Sequence, residues 1–174
     1  GITATTPTPH AGAAAGFGDV PDGVYYTEAV QWMVDYGYTE GTSPGCFSPA
    51  RPLSRGEIAT FVWRYAGEPA GGDEPFTDVS AGQYFTDAVA WMVANGITTG
   101  TSETTFHPSR TVTRAEAVTF LWRFSGRPAG GANPFDDVPA GQFYSDAVAW
   151  AVAAGVTTGT SDTTFHPRTS SEPG

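Results

Sequence analysis

Two short segments hold the side chains best suited to chemistry, Ser54-Arg55-Gly56-Glu57 and Thr113-Arg114-Ala115-Glu116. Each reads as a capping box: the hydroxyl accepts the amide three residues on, and the glutamate reaches back to the cap amide. The arginine between them is misplaced for a helix alone, because the dipole at a helix N-terminus favours anions. An anionic ligand would reverse that preference. It would meet the guanidinium in a charge-assisted pair, with backbone amide donors close by. The alternative is an internal pair with a carboxylate such as Asp78.

Other chemistry is sparse. His107 and His166 recur in Thr-Phe-His-Pro, but Ser48 stands at the matching place in the first copy. No Ser/His/Asp set, H-E-x-x-H pattern or phosphate-binding glycine loop occurs, so the chain reads as no enzyme, with no metal and no cofactor. Cys46 is the only cysteine, which rules out an internal disulfide and a cysteine-based zinc set. Thr105 and Thr164 occupy its matching positions, so a small, half-buried side chain is expected there.

The elements that position these residues come from a repeat. Phe17, Phe76 and Phe135 lie 59 residues apart, as do Asp19, Asp78 and Asp137, and Trp32, Trp91 and Trp150. Residues 76–108 and 135–167 align without a gap and are identical at most positions. Fixed-period self-similarity marks a repeat array, in which neighbouring copies cover each other's apolar faces. Each copy opens with an extended Phe-x-Asp-Val. Thr27, Thr86 and Ser145 then read as N-caps of a first helix. Gly37, Gly96 and Gly155 stop it at the C′ position. The capping box opens a second helix, which runs to Arg64 or Arg123 and ends before Gly67 or Gly126. The five expected helices lie near 27–36, 55–66, 86–95, 114–125 and 145–154. The fold class is all-α, with two short helices per repeat. Residues 1–16 read as a flexible leader, 17–75 as repeat 1, 76–134 as repeat 2 and 135–174 as an incomplete repeat 3.

Composition narrows the partners. The net charge is −10, and the 8 basic residues are all arginine. A nucleic-acid partner is excluded, since phosphate binding calls for a basic surface. No run approaches the ~18 apolar residues of a membrane span. No signal-peptide pattern is visible, as in a mature, processed chain.

The ordered set Phe76-x-Asp78-Val79, Trp91, Gly96-Ile97-x-x-Gly100, Phe106-x-Pro108 and Thr113-Arg114-Ala115-Glu116 resembles the S-layer homology family, over about residues 17–167. The resemblance implies a pseudo-threefold arrangement with the Thr-Arg-Ala-Glu helices in a central bundle. It implies a secreted, noncatalytic module at the cell surface, attached to the wall through secondary cell-wall polysaccharide that often bears a pyruvate ketal. The implied ligand-binding set is Arg55 and Arg114 on the anionic sugar, with Asp19, Asp78, Asp137, Trp32, Trp91 and Gly96 around it. The aspartates suit turn caps as well, and the tryptophans suit a core. Arg51 and Arg110, four residues before each arginine, read as solvated surface, with a place on the same rim as the alternative. Gly56 departs from the family's alanine and costs roughly 1 kcal/mol of helix propensity, which makes Arg55 the looser of the two sites. The alternative function is a protein-interaction or self-assembly module. Copy three lacks its second helix. The second-helix faces (Ile58, Phe61 and Val62; Ala115, Val118, Leu121 and Trp122) are expected to meet mid-array, leaving an opening filled by association or by the leader.

Overall fold

The computed structural model describes residues 14–169. Among them are five α-helices: α1 (Thr27–Asp35), α2 (Arg55–Tyr65), α3 (Thr86–Ala94), α4 (Arg114–Phe124) and α5 (Ser145–Ala153). The described residues contain no strand, only isolated bridges such as Ser54 to Thr111. The all-α tandem repeat is therefore the architecture. The chain divides into two compact units, one through Arg51 and one from Pro52 onward. Most of the leader and the last residues, with any part they play in filling an opening, lie outside the described residues.

The first unit is small. Its core is Phe17, Val20 and Val30, with Tyr26, Val34 and Phe47 packed around them. Helix α1 rests on the short 3-10 turn Ala14–Gly16.

The second unit pairs helices in an order offset from the sequence repeat. Helix α2, which ends repeat 1, packs on α3, which begins repeat 2; α4 packs on α5 in the same way. Ile58, Val62, Val89, Met92, Phe106 and Phe120 share one core. Ala115, Val118, Val148, Ala151 and Phe165 share the next. Complete burial of a side chain such as Met92 contributes ~1.5–3 kcal/mol. The second-helix faces thus mainly cover the following helix rather than meeting mid-array, because an offset pair buries both apolar stripes at once. Only a small α2–α4 contact remains.

The caps divide into two kinds. Ser54 and Thr113 form complete capping boxes with Glu57 and Glu116. Thr27, Thr86 and Ser145 are not N-caps: they are the first helical residues, after Tyr26, Phe85 and Tyr144. Their hydroxyls turn backwards instead. Thr86 Oγ1 accepts the Gln83 amide at 3.0 Å and donates to the Ser80 carbonyl at 2.7 Å, closing the preceding loop. Gly37, Gly96 and Gly155 do follow their helices at positive φ, as a C′ glycine should. Cys46 is exposed rather than half-buried.

The double glycine of the linker is a packing requirement. A Cβ on Gly71 would stand 2.7 Å from the Trp91 nitrogen and 2.9 Å from the Ala90 Cβ. On Gly72 its nearest neighbour would be 3.7 Å away. Gly71→Ala is therefore expected to cost about 1–3 kcal/mol in urea unfolding, the usual cost of overpacking, and Gly72→Ala to change stability little. Equal effects would show that the linker does not press on α3.

Candidate ligand-binding groove

Arg55 is the most unusual residue of the second unit. It is the first helical residue of α2, yet only 2% exposed. Its Nε donates to the Phe106 carbonyl at 2.7 Å, and its Nη1 donates to Glu116 Oε1 at 2.9 Å. The guanidinium carbon lies 4.5 Å from the Phe106 ring centroid and 5.2 Å from that of Phe120. Burial draws its pKa down to about 10, against the opposing field of Glu116. The pairing carboxylate is thus Glu116 and not Asp78, which acts on Arg55 only through its field. Nη2 is buried and meets no partner.

Gly56 beside it is closely packed. A Cβ there would stand 3.0 Å from the Phe85 ring and 3.2 Å from the Pro108 carbonyl oxygen. The first turn of α2 lies against repeat 2, where the amides of Arg55 and Gly56 donate to the Arg110 and Pro108 carbonyls. Arg55, more buried than Arg114 and paired with a carboxylate, is the tighter site, the reverse of what helix propensity alone suggests.

Glu116 serves three groups. Its Oε2 accepts the Thr113 amide at 3.0 Å, and its Oε1 accepts from both Arg55 and Arg110. Arg110 is thus tied into the site rather than a solvated bystander. Burial works to raise the Glu116 pKa, but the arginines and the Thr113 amide hold it below the usual carboxylate value.

These groups border a cavity of about 430 Å3, lined also by Thr98–Thr101, Arg123 and Phe143. Thr98 is buried, and its Oγ1 accepts the Gly100 amide at 3.1 Å, which shapes the loop. Arg123 Nη1 donates to the Ile97 carbonyl at 3.2 Å. Phe143 is exposed, in edge-on contact with the buried Tyr144 at 5.0 Å. The site combines three guanidinium groups, one carboxylate, a threonine-rich loop and an open aromatic ring. That set can take an anionic, hydroxylated ligand.

The other candidate residues fall elsewhere. Asp78 accepts the Phe106 and His107 amides at 2.8 and 2.7 Å, and Asp137 and Asp19 do the same for the matching loops. All three are turn caps. Arg114 is half-buried; its Nε donates to the Phe165 carbonyl at 2.8 Å. Trp91 is 7% exposed in the core, whereas Trp32 is 43% exposed in the first unit. The Gly96 carbonyl accepts from Arg127, and Gly96 does not line the cavity. The sequence alone favours solvated surface for Arg110 over the rim position it occupies, and does not point to Arg123, Phe143 or the Thr98–Thr101 loop. The recurrence of Thr-Thr-Gly-Thr at 98–101 and 157–160 was the available signal. Among the described residues no group of His, Cys, Asp and Glu is placed to hold a metal, and no helix is long and apolar enough to cross a membrane.

The fold and groove define a class, helical repeat modules with an arginine-lined groove built across successive repeats. Within it, the S-layer homology domain profile matches residues 16–59, 75–118 and 134–169, more than half of the chain. The chain belongs to that family. It is 42% identical over 97 residues to the Surface-layer 125 kDa protein of Lysinibacillus sphaericus, a match covering 56% of this chain and 8% of that protein. It is 30% identical over 139 residues to the Cellulosome-anchoring protein of Acetivibrio thermocellus, covering 75% of this chain and 31% of that protein. A 25% match over 169 residues to the S-layer protein of Bacillus thuringiensis subsp. finitimus covers 92% and 20%. The chain thus spans at most about a third of the length of these relatives.

Two outcomes follow from the carboxylates. Glu116→Gln keeps a cap acceptor but removes the charge facing two arginines, so it is expected to cost ~1.5–3 kcal/mol in chemical unfolding. Glu116, Asp78 and Asp137 all have lowered pKa values, the aspartates through loop amides that outweigh burial. Their contribution is present above the unfolded-state values of about 4 and is lost as pH falls through the lower folded-state values. Stability should therefore be flat from neutral pH to about 5 and drop below about 4, with a shallower drop in Asp78→Asn. An acid limb unchanged by that substitution would contradict the turn-cap role.

Proposed function

We propose that the chain is a noncatalytic anchoring module that holds a surface protein to the cell wall by binding an anionic wall polysaccharide in the Arg55 groove. The observation that carries this reading is the buried, unpartnered Nη2 of Arg55, a residue that borders an open cavity together with Arg110 and Arg123. A buried charged donor without an acceptor is costly, and a ligand carboxylate would relieve that cost. A pyruvate ketal fixes such a carboxylate rigidly on a sugar ring. The threonine loop suits its hydroxyls, and Phe143 offers a ring face. Family membership and the relatives' names, which include an anchoring protein, support an envelope location. The net charge of −10 opposes long-range attraction to an acidic polymer, so the affinity must be local. Arg114 is the second candidate contact, with the weaker built-in scaffold.

Calorimetric titration with purified wall polysaccharide, before and after mild acid removal of its ketals, tests the reading. The native chain should bind the ketal-bearing polymer and lose most of that affinity once the ketals are gone. Arg55→Ala would also disturb the fold, because Arg55 ties α2 to repeat 2. The cleaner variants are Arg123→Ala and Phe143→Ala. Removal of the Arg123 charge should weaken binding roughly ten- to a hundredfold with little change in melting temperature. Undiminished binding by both variants would place the ligand elsewhere.

A further inference from the structure

The two second helices end in the same backbone but in opposite charges. Each passes through a glycine into a residue held left-handed before a proline, Glu68 at φ 55° and Arg127 at φ 56°. Their amides donate to the Trp63 and Trp122 carbonyls at 3.0 and 2.9 Å. After α2 the charge has a counterpart: Glu68 lies 3.9 Å from Arg64. After α4 it does not, because Arg127 follows Arg123 at the same spacing and both are cations.

These two guanidinium groups are neighbours. Arg127 Nη2 donates to the Gly96 carbonyl at 2.9 Å, and Arg123 Nη1 donates to the next carbonyl, that of Ile97, at 3.2 Å. Among the described residues neither meets a carboxylate. Burial, and after it the charge of Arg127, lower the Arg123 pKa. Like charges at this separation repel. The site is also where the chain concentrates its few cations. Arg55, Arg110, Arg123 and Arg127 are half of its 8 basic residues, in a protein of net charge −10. Arg55 and Arg110 share Glu116, so the uncompensated charge lies with Arg123 and Arg127. Arg123 borders the cavity, and Gly96-Ile97 leads directly into the Thr98–Thr101 wall. Arg127 is exposed and extends the cationic border beyond the cavity lining.

We infer that Arg123 and Arg127 form a second anion subsite at the end of the Arg55 groove, taking a carboxylate or phosphate on the sugar next to the one that Arg55 holds. This inference rests on the proposed function of the groove. It makes the ligand a glycan charged on successive units, since one carboxylate at Arg55 would leave the Arg123–Arg127 pair without a counter-charge. Arg64 has its counter-charge within the chain and would select no such second group.

Calorimetry with three disaccharides tests this: one with a ketal carboxylate on a single unit, one with ketals on both units, and one with a ketal and a phosphate monoester. The native chain should bind a doubly charged probe at least about tenfold tighter than the singly charged one, the gain of one charge-assisted contact. The tighter of the two doubly charged probes identifies the second group as carboxylate or phosphate. Arg127→Gln keeps an amide donor for the Gly96 carbonyl and removes the charge. It should erase the advantage of the second charge and leave the singly charged probe bound as before. Arg127→Lys should retain most of the advantage. Arg127 is exposed and follows the helix, so both variants should melt as the native chain does. No advantage for a second charge, or one that survives Arg127→Gln, overturns the inference and leaves the groove reading standing. Weaker binding of the singly charged probe by Arg127→Gln would make Arg127 part of the first contact and overturn it as well. A native chain that binds none of the three overturns the groove reading, and the inference with it.

Discussion

The contact on which the second unit depends is the burial of one charged side chain at a helix start. Arg55 leaves the first turn of α2 and ends among groups of repeat 2: the Phe106 carbonyl, the Phe106 and Phe120 rings and the Glu116 carboxylate. A lone guanidinium in that position would be strongly disfavoured by desolvation. These partners offset that cost, and they come from two stretches of chain, the loop at Phe106 and helix α4. The position of α2 is thereby tied to the loop before α4 and to α4 itself. One donor is left over, on a side chain that borders the cavity, and this links the packing of the repeats to the chemistry of the groove.

The same contact explains why the packing unit is offset from the sequence repeat. An arginine-led helix closes its own repeat in sequence but covers the next repeat in space. The capping box serves its own repeat, but the first-turn amides of Arg55 and Gly56 find their acceptors in the next repeat's loop. The groove accordingly draws Arg55 from repeat 1, the threonine loop and Arg110 from repeat 2, and Phe143 from repeat 3. A site assembled across copies keeps its geometry only while the offset pairs stay packed. Stability of the array and affinity for ligand are therefore coupled.

Much of this was legible in the residues. The capping boxes at Ser54 and Thr113, the glycine stops and the period gave five helices to within a residue or two. Local signals failed where a neighbouring copy decides. Thr86 has the chemistry of an N-cap, but its hydroxyl also reaches the loop before it, and that loop won. Gly56 looks like a weak point in a helix and is a clearance for Phe85. Trp32 and Trp91 occupy equivalent positions with different exposure, because burial depends on which helix lies alongside. Glu116 was visible as a cap; its second role with Arg55 and Arg110 spans repeats, and no local pattern reports it.

The central claim is that the spare Arg55 donor marks where a ligand carboxylate sits. A crystal structure of the chain with a ketal-bearing wall disaccharide addresses it most directly. The expected result is a ketal carboxylate oxygen within hydrogen-bond distance of Arg55 Nη2, with Arg55 and Glu116 in their present places. A sugar bound elsewhere, with Nη2 still unengaged, would contradict the account.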